Sequence, residues 1–328
     1  MEWTRLLAAT TGAEPQAQTP ALSVVVPVYK EEDNIGPFLR RLEPVLSKIS
    51  ENYEIIFSLD PSPDRTEGVI REEIARNPRI RLLLFSRRFG QPAATIAGIL
   101  NSRGEACCII DVDLQDPPEL IGEMYAKLHE GYDVVYAQRR SRAGETPFKK
   151  AISYLGYAVI SRFSDVKIPV NTGDFRIISR RVIEQLRGLG ESHGFLRGLV
   201  AFVGYPQAAV LYDRDARHAG KGNYNRITGS LKIGLNGLIG FSARPLQLMS
   251  VAGALLAGLS FLIGAWYVVQ HLIGIDLTPG LSTTILVVTF FSGVQLLSLG
   301  LIGEYVSRIY DEVKRRPMYI VQERVNFE

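Results

Sequence analysis

The chain is short of the residues that staple small folds or grip transition metals. Its 328 residues include two cysteines, four histidines, four methionines and two tryptophans. Two cysteines cannot build a disulfide framework, and Cys107 and Cys108 are neighbours on an apolar run, which reads as buried, reduced thiols. His129, His193, His218 and His271 lack metal-ligand spacing, so a zinc site is not expected. Charge of one sign is lacking too. Lys and Arg number 37 against 34 Asp and Glu, a net +3 that gives little support for nucleic-acid binding. With 30 glycines and 17 prolines, collagen-like and low-complexity chains are excluded. Residues 1–21 have no apolar core of the roughly 7–15 residues that a secretory signal needs, and they read as a flexible tail. The hydrophobic share, 46 %, is ordinary, but it is unevenly spread, with most of the excess after Arg244.

From residue 22 a regular alternation begins. β-rich runs at 22–29, 53–60, 80–86, 106–113 and 132–138 are separated by helical stretches at 33–49, 66–76, 91–102 and 117–130. That repeat has the length of a βα unit, and runs such as VVVPV are apolar enough to be covered on both faces. The expectation is an α/β domain with a mostly parallel, Rossmann-like sheet and flanking helices, binding ligands beyond the carboxyl ends of its strands. Further on, 171–179 reads as a strand and 180–189 as a helix. The stretch 147–162 reads as an amphipathic helix, and 227–241 as either an interfacial amphipathic segment or a buried core helix.

The last third holds two long apolar runs. From 246 to 275 the only charge-capable side chain is His271, and from 277 to 303 there is none. Each exceeds the roughly 20 residues that cross about 30 Å of hydrocarbon. Together they read as a transmembrane hairpin, spanning about 246–272 and 281–303. Arg244 precedes it, Lys314, Arg315 and Arg316 follow it, and the connection carries no Lys or Arg. The positive-inside rule then puts both ends, and the α/β domain, on the cytoplasmic side of the cell (inner) membrane.

Chemistry concentrates after the strands. Asp111-Val112-Asp113-Leu114-Gln115-Asp116 closes the fourth run, and strand alternation would point Asp111 and Asp113 the same way. Two carboxylates beside a carboxamide suit a hard divalent ion, Mg²⁺ or Mn²⁺, that would also grip a diphosphate. Asp116, before Pro117-Pro118-Glu119, reads as a helix N-cap. Tyr29 follows the first strand and could stack on a base; Asp60 follows the second and could accept a hydrogen bond from base or ribose. Arg87-Arg88 ahead of Gly90-Gln91-Pro92 form a basic turn facing phosphate or solvent, and Lys149 and Lys150 face lipid headgroups or solvent.

The ordered segments VVPVYKEEDNI, LDPSPDRT, DVDLQDPPE, the Arg after YDVVYAQ, NTGDFR and GEYVSRIYDEVKRRP resemble the inverting family-2 glycosyltransferases. They are closest to the polyprenyl-phosphate branch, which includes dolichol-phosphate mannose synthases and bactoprenol glucosyltransferases. The resemblance spans about residues 22–321. It implies a GT-A fold and metal-dependent transfer of a monosaccharide from a nucleotide sugar, expected to be a UDP-sugar, to a polyprenyl phosphate, expected to be undecaprenyl phosphate. By position it implies Pro27, Tyr29, Glu31, Ser58 and Asp60 at the nucleoside, and Asp111, Val112 and Asp113 at the donor. It puts Asp113 and Gln115 on the metal and Arg139 on phosphate charge. Asp174 would orient or act as a weak base, and Arg176 would meet the acceptor phosphate. Relatives of this type are often homo-oligomers, tetramers among them. The domains implied are a tail (1–21), a cytoplasmic GT-A domain (22–226), a juxtamembrane amphipathic segment (227–243), a transmembrane hairpin (244–305) and a cytoplasmic C-terminal tail (306–328).

Two departures stand out. Leu59-Asp60 replaces a pair of acids, and Arg217-His218-Ala219-Gly220-Lys221-Gly222-Asn223 carries Asn223 where the family has lysine. Lys221, two residues early and flanked by glycines, is expected to take over that role beside Arg217. Three other readings compete: a processive polysaccharide synthase, a membrane-tethered nucleotide-sugar binder without turnover, and a flippase partner. The first lacks Gln-x-x-Arg-Trp and has too few spans; the intact Asp113/Gln115 pair argues against the second.

Overall fold

Runs without polar interruption become the buried strands. In the computed structural model, which describes residues 19–140, 169, 172–191, 195–213, 242–274 and 280–327, β1 (Leu22–Val28), β2 (Tyr53–Leu59), β3 (Ile80–Phe85) and β4 (Ala106–Ile109) are buried at every position. Between and after them run α1 (Glu32–Ile49), α2 (Thr66–Arg76), α3 (Gln91–Asn101) and α4 (Leu120–His129). They are followed by β5 (Val134–Arg139), β6 (Thr172–Ser179), α5 (Arg180–Gly188), α6 (Leu196–Val203) and β7 (Gln207–Tyr212). Two long helices, α7 (Arg244–Leu272) and α8 (Leu281–Lys314), precede a final strand, β8 (Val321–Val325). The expected helices at 147–162 and 227–241 lie outside the described residues.

Alternate side chains of each strand supply two cores. Val24, Val26, Ile55 and Phe57 pack under α1, α2 and α4. Val25, Ile56, Leu83 and Ile109 pack under α3, α5 and α6. The close approach of α3 depends on Gly98, where a Cβ would fall 2.2 Å from Val25 Cγ1.

The eight strands form one sheet in the order β7-β5-β6-β4-β1-β2-β3-β8. β1 pairs in parallel with β2 and β4, β2 with β3, and β5 with β7. β6 runs antiparallel to both β4 and β5, and β8 antiparallel to β3. The strand order reverses between β1 and β4, so a crevice opens beyond their carboxyl ends. Because β6 runs backwards, its first residues join that same rim.

Several local expectations are corrected. β4 stops at Ile109, so Asp111 and Asp113 lie in a turn, with Leu114 at φ 59°, rather than alternating along a strand. Helix α4 starts at Leu120, after a turn in which the Leu120 and Ile121 N–H groups donate to the Pro117 and Pro118 carbonyls. Asp116 is therefore no N-cap. Residues 19–21 are tied down, with Ala21 N donating to Asn52 O at 2.9 Å. The segment 306–328 is not simply a tail. It continues α8 to Lys314 and then returns to the sheet as β8, where Glu323 meets Arg71 and Asn326 Nδ2 donates to the Pro78 and Ile80 carbonyls. Backbone pairing, not apolar content, recruits VQERV, whose charged side chains suit an edge strand.

The opposite, amino-terminal end of the strands is closed by a buried ion pair. The Glu54 carboxylate meets Arg81 Nη1 at 2.6 Å and accepts from the Arg103 backbone N–H at 2.6 Å. Both α7 and α8 carry spans long and apolar enough to cross a membrane, 244–270 and 287–314, with mean hydropathies of 2.0 and 1.5. Tyr305 of α8 donates to the Ser242 carbonyl, tying the second helix to the start of the first.

Candidate active site

The rim beyond the sheet gathers most of the described candidates. Tyr29 and Glu31 follow β1, Asp60 follows β2, 111–116 follow β4, Arg139 ends β5, Tyr212 ends β7, and Asp174 and Arg176 lie at the start of β6. Pro27 and Ser58 lie one residue inside it, at the last position but one of β1 and β2. Both are buried within their strands, and the Ser58 hydroxyl lies under α3, where a Cβ on Gly98 would come within 2.8 Å of it. Arg217 and Lys221, with Asn223, Lys149 and Lys150, lie outside the described residues.

Asp60 is only 2 % exposed and serves as an internal acceptor. Its Oδ1 accepts from Phe89 N at 2.9 Å and its Oδ2 from Gly90 N at 2.8 Å, at the start of α3. A carboxylate there satisfies N–H groups at the positive end of the helix and holds the loop after β3 against the end of β2. Beside it the Arg88 guanidinium lies 4.0 Å from the Tyr29 ring centroid, covering the ring proposed for base stacking. Glu31 Oε2 accepts from Asn34 Nδ2, and the Glu31 N–H donates to Thr66 Oγ1.

In the acid turn Asp111 Oδ1 accepts from Gln91 Nε2 at 2.9 Å, so the first residue of α3 reaches across to it. Asp113, 5 % exposed, accepts from Gln115 N at 3.1 Å, which closes the turn and sets carboxylate and carboxamide two residues apart. Val112 is buried beneath them. Hard oxygen donors on one tight turn fit Mg²⁺ or Mn²⁺. Among the described residues no three His, Cys, Asp or Glu side chains form a closed cage, so phosphate and water would have to complete the shell.

Across the rim is an arginine cluster. Arg197 Nε of α6 donates to Asp174 Oδ1 at 2.9 Å, and Arg176 Nη2 lies 4.0 Å from the same oxygen. Burial would raise the Asp174 pKa, but Arg197, Arg176 and Arg139 outweigh it and hold the carboxyl below its usual range. A carboxylate so held is ionised at neutral pH and is a weak proton acceptor. Arg176 is 4 % exposed and spends its guanidinium on the Gly173 and Asp174 carbonyls, with burial bringing its pKa down to about 10. In this arrangement Arg176 packs beside Asp174, and the better-exposed cation of the cluster is Arg197. Neither Arg197 nor Tyr212 belongs to a local sequence motif; only packing brings α6 and the end of β7 to the rim.

Residues 23–187 match glycosyl transferase family 2, and residues 244–309 match the GtrB C-terminal hairpin. The uncharacterized glycosyltransferase YkcC of Bacillus subtilis (strain 168) is 45 % identical over 306 residues, covering 93 % of this chain and 94 % of that protein. The uncharacterized glycosyltransferase sll0501 of Synechocystis is 42 % identical over 305 residues, covering 92 % of this chain and 95 % of its own length. The SfII prophage-derived bactoprenol glucosyl transferase of Shigella flexneri is 36 % identical over 301 residues, covering 92 % and 97 %. With a GT-A-type sheet, an acid turn at its switch point and an apolar hairpin after it, the chain belongs to glycosyl transferase family 2.

Proposed function

We propose that the chain moves one sugar, with inversion, from a nucleotide sugar to the phosphate of a polyprenyl phosphate at the cytoplasmic face of the cell membrane. A UDP-sugar and undecaprenyl phosphate are the expected substrates. The observation that carries the proposal is the convergence on one rim of an acid turn and an arginine cluster, in a chain that also carries the hairpin. Relatives named bactoprenol glucosyl transferases, similar over nearly the whole chain, support the lipid acceptor. Arg244 at one end of the hairpin and Lys314, Arg315 and Arg316 at the other support a two-span topology with both ends cytoplasmic.

A phosphomonoester acceptor has a second pKa of about 6, so it reaches the rim already largely dianionic. It needs no strong base. That matches Asp174, whose carboxylate is occupied by Arg197 and best suited to fixing that guanidinium in place. Arg197 and Arg139 then offset the repulsion between two anionic substrates, an electrostatic task favoured on a partly dry rim. Tyr29 offers a ring for the base once Arg88 shifts, and Asp60 holds the loop below it. Asp113 and Gln115 would hold a divalent ion, which supplies charge neutralisation of the leaving diphosphate. The hairpin keeps the rim beside the bilayer, so the lipid need diffuse in only two dimensions.

The test uses the purified full chain in detergent or lipid discs with Mn²⁺ or Mg²⁺, a set of labelled nucleotide sugars and undecaprenyl phosphate. The expected result is a lipid-linked monosaccharide, abolished by a chelator and by Asp113→Asn. Failure of every donor to label the lipid under both metals overturns the proposal.

A further inference from the structure

The parallel register of β5 and β7 sets their last residues, Arg139 and Tyr212, opposite each other. The Tyr212 hydroxyl donates to the Asp116 carboxylate and accepts from Arg139 Nε at 3.2 Å. A phenol has a single proton, so giving it to Asp116 turns the oxygen lone pairs toward the arginine. Burial, with Asp116 nearby, pushes the phenol up to about 12, so this donor arrangement persists across the physiological pH range. The tyrosine ring is steadied by an edge-on contact with Phe175 of β6, centroids 6.3 Å apart at 84°. With Nε engaged behind it, the guanidinium directs its outer nitrogens over β6. A Cβ on Gly173 would lie 3.2 Å from Nη2, and the Arg139 charge acts on Asp174.

Asp116 lies three residues after Asp113, inside the acid turn, yet its carboxylate is buried and aimed at β7. The turn that would hold the leaving diphosphate is thus joined through one phenol to an arginine of the opposite cluster. We propose that Tyr212, backed by Asp116, is a positioning residue that aims the Arg139 guanidinium at substrate phosphate. The inference rests on the transferase reading above. Losing the hydroxyl leaves Arg139 in place but free to rotate about its side chain, so part of each phosphate contact is spent on ordering it.

The experiment compares the full chain with Tyr212→Phe, Arg139→Ala and the double variant. Sugar transfer, affinity for UDP with Mn²⁺ by calorimetry, and melting temperature are measured for each. Tyr212→Phe is expected to lower kcat/KM for the donor about tenfold, as loss of a hydrogen bond to a charged group does, and to weaken UDP binding severalfold. Its melting temperature should fall by a few degrees, because the buried Asp116 carboxylate loses the phenol proton, so transfer is compared at a temperature where every variant is folded; there, in the Arg139→Ala background, Tyr212→Phe should add nothing to the loss of kcat/KM. A purely structural tyrosine would instead leave kcat/KM of the folded variant unchanged, or lower it by the same factor with and without Arg139. Unchanged kcat/KM in Tyr212→Phe, or effects that multiply in the double variant, overturns the assignment. If the wild type transfers no sugar, the transferase reading fails on its own. UDP affinity then decides the positioning role: unchanged binding in Tyr212→Phe overturns it, and a loss smaller than that of Arg139→Ala that disappears in the Arg139→Ala background supports it.

Discussion

Replacing Asp60 by asparagine tests whether this residue works by building the rim or only by touching a ligand. Its two carboxylate oxygens each accept one backbone N–H, from Phe89 at 2.9 Å and Gly90 at 2.8 Å, in a site only 2 % exposed. Asparagine is nearly isosteric but keeps one acceptor; its amide nitrogen must face the second N–H. A hydrogen bond to a charged group contributes about 1.5–3 kcal/mol, and the buried N–H left without a partner adds to the loss, for a total of about 2–4 kcal/mol. For a domain of this size each kcal/mol shifts melting by about 2–4 °C, so about 3 kcal/mol predicts a drop of about 6–12 °C. The assay is thermal unfolding of the purified full chain in detergent with no nucleotide added, followed by donor kinetics at a temperature where both proteins are folded. The donor KM should rise because the loop of Phe89 and Gly90 is released beside Tyr29 and Arg88. A ligand-free melting temperature within about 1 °C of wild type would refute the reasoning, leaving Asp60 as a ligand contact alone.

Four other outcomes are expected. Asp174→Asn should lower turnover about tenfold by releasing Arg197, yet leave the shape of the pH–rate profile between pH 6 and 8 unchanged; loss of an acidic limb near neutrality would restore a base role. Because the Asp174 carboxyl is held below its usual range, its stabilising effect is present above the unfolded value of about 3.9 and fades as pH falls below that, so acid unfolding should come earlier in wild type than a pH-independent pairing would allow. Gly98→Val should cost at least about 1–3 kcal/mol in chemical denaturation, since even its Cβ would fall 2.2 Å from Val25 Cγ1; an unchanged midpoint would mean that α3 can lift off β1 freely. Truncation after Arg316 should lower the melting temperature and promote aggregation measured by light scattering. It uncovers the β3 edge and removes Tyr319 from Phe85; a soluble chain of unchanged stability would show that β8 is dispensable.

The parts of the molecule legible in its sequence are those built from local patterns. Apolar runs of seven or eight residues with turn signals between them mark β1 to β3 closely, and the absence of charge between 277 and 303 marks α8. The acid turn was visible because acids and a carboxamide crowd six positions after a strand. Its geometry was not. Where β4 would stop depended on its neighbours, and the ladder from β1 to β4 ends at the pair of Val25 and Ile109. Asp116 looked like a cap because Pro117 follows it, yet its partner is a tyrosine 96 residues away. Arg176 and Arg197 carry the same charge and similar neighbours in sequence; burial alone makes one a support for Asp174 and leaves the other facing the rim.

The sequence by itself determined the class of protein: an α/β domain with acids after its fourth strand, followed by a nearly uncharged hairpin. Hydrophobic periodicity and charge depletion are properties of neighbouring residues and need no fold to be read. Only the tertiary structure decided which charges face one another, that β6 runs backwards into the rim, and that the chain returns after the hairpin to cover β3 as β8. These depend on backbone ladders and buried contacts between segments as much as about 250 residues apart, as Arg71 and Glu323 are, and no local pattern encodes such pairings.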